Sequence, residues 1–267
     1  MMRSQFVIYY ATVKPIIMLR LSFCILILSF AFSICFGQDL EKTLTPKTFA
    51  SEKGELPYRL FVPSNYDRAK KYPLVVYLHG SGGLGNDNLK QLQLGNVYLI
   101  SFFTSSETQS RYPAFVVAPQ SLNEGWVAAS DRVTPTNQLR LLADLIRELE
   151  RTFSIDRGRV YVTGQSLGGF GAFAIVAAYP NLFAAGIPLC GGGDESKAAQ
   201  FKHTPLWVFH GDHDEAVPVE RSRTMVAAIR KAGGQVKYTE YPAAGHDIWT
   251  KVVKESDLLS WLFAQHR

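Results

Sequence analysis

Gly164-Gln165-Ser166-Leu167-Gly168 follows the β-branched run 160–163 and precedes an apolar helical stretch. This G-x-S-x-G pattern at a strand-to-helix junction holds the serine out of the sheet on a sharp turn, with its Oγ exposed at the carboxyl edge. A serine hydroxyl is a weak nucleophile, so it needs a base, and the base needs an orienting group. Five histidines follow Ser166: His203, His210, His213, His246 and His266. His266 is at the chain end, and His203 precedes a strand on the wrong edge of a parallel sheet. His246, in Ala244-Gly245-His246-Asp247 after the last expected strand, is the best base. For the acid, His210-Gly211-Asp212-His213-Asp214 leaves the next-to-last strand. Asp212 and Asp214 both compete. Asp214 is favoured, because Asp212 lies so close to the strand end that capping the turn suits it better.

His79-Gly80-Ser81-Gly82-Gly83 directly follows the run 74–78. Acyl transfer builds negative charge on a carbonyl oxygen, which fixed backbone N–H groups must meet. Leu167, next to the nucleophile, is expected to supply one such N–H. The glycine-rich loop is placed to supply the other from Ser81, with Gly82 as the alternative. A metal reading of His210-Gly211-Asp212-His213-Asp214 is disfavoured, because four groups crowded into five loop residues lack the usual ligand spacing. No metal or organic cofactor is expected.

Seven short apolar runs must position these residues: 58–62, 74–78, 115–118, 160–163, 185–189, 206–209 and 236–241. Most are continuous rather than alternating, as in strands buried on both faces of a parallel sheet. Between them lie helices. Thr134 is expected to cap one that has Pro135 at its first position and Leu139, Leu142, Leu145, Ile146 and Leu149 on one face. Others are expected over 166–179, 219–231 and 256–265. Strand–helix alternation implies an α/β fold with a mostly parallel sheet and helices on both faces. With no repeat and no linker-like break, residues 38–267 read as one domain.

These residues, with 58–63 (YRLFVP), 73–83 (PLVVYLHGSGG) and 245–249 (GHDIW), resemble a known group. They are similar to secreted α/β-hydrolases classed as predicted peptidases, close to feruloyl-esterase and polyhydroxybutyrate-depolymerase-like carbohydrate esterases. The resemblance runs from about Tyr58 to the C-terminus. It implies an α/β-hydrolase fold with Ser166, Asp214 and His246 as the triad and Leu167 and Ser81 as the oxyanion hole. It also implies a serine carboxylesterase acting on a small-molecule or carbohydrate-linked ester, including feruloyl or acetyl esters of plant cell walls.

Trp126, in the loop 121–130, is a candidate wall for an aromatic acyl group or a sugar ring, with a packing role the equal alternative. Gln165 is a candidate contact for the leaving group. Trp249 reads as an anchor for the following helix, and Phe102-Phe103 as core. A peptidase with the same triad would need a recognition apparatus for the chain, which a domain of this size does not offer. A binding protein on the same fold would have lost a triad residue. Dehalogenase or dienelactone-hydrolase chemistry would call for Asp or Cys at position 166.

The 267 residues are 47% hydrophobic and 19% charged, a globular composition. Three of the 28 basic residues, Arg3, Lys14 and Arg20, precede Asp39, while all 23 acidic ones lie from there onward. The remainder, 25 basic against 23 acidic, is too balanced to indicate nucleic acid or a membrane surface. Residues 21–36 (LSFCILILSFAFSICF) carry no charge, with Arg20 before them and Gly37 after. That is the layout of a secretory signal peptide over 1–37, so the protein is expected outside the cytoplasm without stable membrane association. The run is 16 residues, shorter than the roughly 20 a spanning helix needs, with an uncleaved anchor as the alternative. Met18 would open a tidier leader, so residues 1–17 read as a wrongly chosen start. Ile34 before Cys35 does not suit a lipidation site. With Cys24 and Cys35 in the leader, Cys190 is left without an intramolecular partner and reads as a buried small hydrophobe.

Overall fold

β-Branched and aromatic runs in this chain assemble into one eight-stranded sheet, seen in a computed structural model that describes residues 40–267. The leader reading concerns residues outside that range. The strands are β1 (Thr45–Ser51), β2 (Gly54–Phe61), β3 (Tyr72–Leu78), β4 (Phe115–Pro119), β5 (Ile155–Gln165), β6 (Ala185–Leu189), β7 (Leu206–Gly211) and β8 (Val236–Tyr241). Their spatial order is β1-β2-β4-β3-β5-β6-β7-β8. β1 pairs antiparallel with β2, and β2 with β4; every other pairing is parallel.

Side-chain alternation along β3 shows how the sheet is covered. Leu74, Val76 and Leu78 enter one buried cluster, whereas Val75 and Tyr77 enter another. The first cluster takes in α3 (Asn137–Thr152), α4 (Leu167–Ala178) and α5 (Glu220–Lys231). The second takes in α1 (Val97–Thr104), α6 (Trp249–Val252) and α7 (Leu258–Ala264); the short α2 (Ser106–Arg111) follows α1. Helices therefore flank both faces, and strands such as β3 and β4 are buried throughout. α3 buries Leu139, Leu142, Leu145, Ile146 and Leu149. Each such side chain, fully buried, stabilises by about 1.5–3 kcal/mol relative to exposure. α4 is apolar all round and lies against the sheet centre, directly behind Ser166.

Two expectations change. Thr134 does not cap α3: its N–H and hydroxyl bond to Asp131, and Pro135 forms an isolated bridge with Val127. Helix α3 starts two residues later, at Asn137 after Thr136. β1 is an additional strand. Its sequence, TPKTFAS, is largely exposed and carries no apolar run, so only backbone pairing to β2 defines it.

Candidate active site

Ser166 sits between β5 and α4 with φ 55° and ψ −118°, a conformation that costs a non-glycine residue roughly 1–3 kcal/mol. Its surroundings enforce it. The Ser166 N–H donates to the Leu189 carbonyl at 2.9 Å, while Gly169 and Phe170 N–H donate to the Ser166 carbonyl. The crossing is tight enough that a Cβ at Gly168 would run into the carbonyl oxygen of Leu78, and one at Gly164 into that of Gly168. The flanking glycines of the motif are therefore steric requirements of the turn.

Asp214 and His246 meet at the same edge, where the Asp214 Oδ2 to His246 Nδ1 distance is 2.7 Å. A carboxylate only accepts, so the proton sits on Nδ1 and Nε2 is left bare as a base. Asp214 Oδ1 accepts from the N–H groups of Ala216 (2.9 Å) and Val217 (2.8 Å). Burial pushes the Asp214 pKa up, but the hydrogen bonds from His246, Val217 and Ala216 outweigh it and leave it below the usual carboxylate value. The end of β6 links this pair to the Ser166 turn: Leu189 O receives the Ser166 N–H, and the adjacent Cys190 thiol donates to His246 O at 3.3 Å. Asp212 takes no part in this contact.

His210 is a member of this site that the sequence reading left without a role. Its Nε2 lies 3.1 Å from Asp214 Oδ2 and 2.9 Å from Val217 O, both acceptors, so Nε2 carries the proton. Nδ1 lies 2.7 Å from Ser222 Oγ, whose hydroxyl donates to the Gly191 carbonyl at 2.9 Å. Burial lowers the His210 pKa, opposed in part by the Val217 carbonyl and the Asp214 charge. The available signal was the four-residue spacing of His210 and Asp214. Cys190, His210 and Asp214 also bring three potential metal-ligand atoms within 4.8 Å. Burial, with the Asp214 charge, pushes the Cys190 thiol far up, and both His210 nitrogens are engaged. This trio is arranged as hydrogen-bonded support for the acid.

Ser81 opens a 3-10 turn, Ser81–Gly83, and is exposed, while the backbone before it is fixed. Gly80 O accepts from Gly83 N–H at 2.9 Å and from His79 Nδ1 at 2.7 Å. Since the peptide is planar and trans, pinning Gly80 C=O also aims the Ser81 N–H, which points the opposite way. A Cβ at Gly80 would lie 3.7 Å from Ser166 Cβ, so this loop runs beside Ser166. Leu167 is the first residue of α4, and its N–H has no acceptor within the helix. The positive end of the helix dipole lies at the same point.

The structure corrects the substrate-facing residues. Trp126 has 0% exposure and donates its indole N–H to His79 O at 3.0 Å. Its ring packs on the His79 ring, with centroids 4.9 Å apart, so it anchors the loop and lines no open surface. Gln165 is buried as well, with its amide oxygen 3.0 Å from the Tyr77 hydroxyl. Two other apolar groups, Leu94 and Trp249, stand beside these residues. Leu94 is 72% exposed, and its Cδ1 would lie 3.4 Å from a Cβ at Gly82. Trp249 stands edge-on to His246 with centroids 5.7 Å apart.

A 1-2-4-3-5-6-7-8 sheet with a serine elbow after β5 and a His–Asp pair on later loops defines an α/β-hydrolase. The chain belongs to the dienelactone hydrolase family, whose family model matches residues 59–254. Position 166 is nevertheless Ser, where dienelactone chemistry calls for Cys. A thermostable esterase of known crystal structure is 37% identical with a TM-score of 0.81, the match covering 85% of this chain and 64% of that one. "Probable feruloyl esterase C" of Aspergillus terreus is 29% identical over 163 residues, 61% of this chain and 56% of that protein. Poly(3-hydroxyalkanoate) depolymerase C of Paucimonas lemoignei is 28% identical over 151 residues, 54% of this chain and 33% of that protein. The chain thus spans under two thirds of the length of each.

Proposed function

We propose that the protein is a serine carboxylesterase that works through an acyl-enzyme on Ser166. The observation that carries this reading is the Asp214–His246 contact at 2.7 Å, at the sheet edge that presents the strained Ser166 turn. His246 Nε2 takes the Ser166 proton as Oγ attacks the ester carbonyl, and Asp214 stabilises the resulting imidazolium. The N–H groups of Leu167 and Ser81 receive the oxyanion. The imidazolium then protonates the departing alkoxide, and the alcohol leaves. Water, deprotonated by His246, cleaves the acyl-enzyme, returning the carboxylic acid and free Ser166.

The relatives named feruloyl esterase C support feruloyl esters as the substrate class. Export through a leader at residues 1–37 fits such a substrate. Among the described residues no helix is long and apolar enough to cross a membrane. The test is hydrolysis of p-nitrophenyl acetate, p-nitrophenyl octanoate and methyl ferulate by the purified protein beside Ser166→Ala. Cleavage of the short or feruloyl esters that disappears in the variant is expected. Equal activity in both proteins, or none in the wild type, overturns the reading.

A further inference from the structure

Two polar side chains beneath the reacting edge are unaccounted for by the proton-transfer steps. Asn96 comes from the segment between β3 and α1 and is 2% exposed; Tyr77 is on β3 and is 0% exposed. Asn96 Oδ1 accepts the Gly80 N–H at 3.0 Å and the Tyr77 hydroxyl at 3.0 Å. The same hydroxyl lies 3.0 Å from Gln165 Oε1. Gln165 directly precedes the nucleophile and Gly80 directly precedes the oxyanion donor. The single Tyr77 hydroxyl proton is shared between two acceptors, Asn96 Oδ1 and Gln165 Oε1, so Tyr77 stands between the segment that holds Gly80 and the residue before Ser166.

We propose that Asn96, held by Tyr77, is a positioning residue that sets the Gly80–Ser81 backbone at its working distance from Ser166. Gly80 C=O is already fixed by Gly83 and His79, which aims the following peptide plane. Asn96 fixes the preceding plane through the Gly80 N–H. With both planes held, the Ser81 N–H cannot swing away from the developing oxyanion. Loss of this anchor is expected to act on the transition state, where the donor is used, and to leave the ground-state ester untouched. Outright loss of an oxyanion donor costs about 100–1000-fold in rate, so a misaimed one should cost on the order of 10–100-fold.

The inference rests on the esterase reading, and the experiment separates the two. Wild type, Asn96→Ala, Asn96→Asp and Tyr77→Phe are compared for kcat and KM on the best ester. Each is also compared for its rate of phosphonylation at Ser166 by a fluorophosphonate, whose phosphoryl oxygen needs the same donors and no particular substrate. Asn96→Ala should lose about 10–100-fold in kcat and in phosphonylation rate with KM nearly unchanged. Asn96→Asp keeps an oxygen for both donors and should recover most of the loss. Tyr77→Phe should lose about 3–10-fold in kcat, since its ring packing is intact. The positioning role is overturned if Asn96→Ala matches wild type in both rates, if only its KM changes, or if Asn96→Asp is as slow as Asn96→Ala. Should Asn96→Ala fail to fold, wild-type rates in Tyr77→Phe would overturn it. A wild type that neither reacts at Ser166 nor cleaves any ester would instead sink the esterase reading.

Discussion

The two halves of the reacting edge are built differently. Around Ser166 and Gly80 the backbone itself is the instrument, held by hydrogen bonds and, at Gly83, Gly164 and Gly168, by glycines into which no Cβ fits. Around Asp214 and His246 the working parts are side chains on loops, and the His246 side chain keeps a quarter of its surface exposed. The difference matches the work that the proposed mechanism requires. Charge development on a carbonyl oxygen needs donors that do not reorganise, whereas a base must exchange protons with ester, alcohol and water.

Removal of reacting atoms should produce the largest effects. Ser166→Ala and His246→Ala are each expected to lower kcat by about 10⁶-fold, and the double variant should be no slower, because the groups act as one unit. Additive losses in steady-state kinetics would show that they do not. Asp214→Asn should cost about 10⁴-fold, through loss of the imidazolium's partner and of the Nδ1–H tautomer. A loss below tenfold would mean that His210 or another group orients His246 instead.

The backbone-built half should fail through folding. Gly168→Ala places a methyl against the Leu78 carbonyl at the central strand crossing, and is expected to cost more than about 3 kcal/mol or to prevent folding. Gly233→Ala is the control: φ is +78° there, but nothing lies within 4 Å, so the cost should be about 1 kcal/mol. Urea melts compare the two, and similar losses would show that crowding at the elbow relaxes easily.

How far the site was legible in the sequence follows the same division. The strained turn at Ser166 and the Asp214–His246 contact were legible locally, through glycine spacing and through the places of these residues after strands. The buried face of α3 was legible because its leucines recur at helical spacing. Trp126 was ambiguous because a tryptophan on a loop can face either way; only its distance to His79 O decides. Asn96 and Tyr77 left no usable pattern, since their roles depend on partners brought together by folding, 88 residues apart for Tyr77 and Gln165, whereas His210 offered only its four-residue spacing from Asp214. β1 was missed for the opposite reason, having pairing but no core.

A pH experiment sharpens the comparison further. His79 is fully buried; burial pushes its pKa down to about 4 from 6.5, and the Gly80 carbonyl offsets this only in part. Its Nε2 accepts the Ser121 N–H at 2.9 Å, which protonation would forbid. The unfolded chain takes up this proton below about 6.5 and the folded one only near 4, so falling pH across that window favours unfolding. The full effect is roughly 3 kcal/mol, absent above pH 6.5. Asp214 acts in the same direction at lower pH, because its depressed pKa means stability is lost as it becomes protonated. Urea melts between pH 7 and 4 should show the decline, and His79→Asn should flatten it. An unchanged slope would place the acid sensitivity elsewhere.

The smallest effect concerns Leu94, where exposure and strain coincide. It has φ 53°, unfavourable for a leucine, yet 72% of its surface is in solvent, so packing offers little reason for the residue. Its side chain lies beside Gly82 of the oxyanion loop, and Trp249 borders the neighbouring Gly95. An exposed apolar side chain there gains value once an ester covers it. Leu94→Gly is therefore expected to hold or slightly raise the melting temperature by relieving the left-handed backbone. It should also raise KM for p-nitrophenyl octanoate by about 3–10-fold, with kcat and the KM for the acetate nearly unchanged. If both KM values hold and stability falls instead, Leu94 serves the fold. If octanoate alone suffers, the strain is retained for the ligand, and the apolar part of the substrate lies across the backbone-built half of the site.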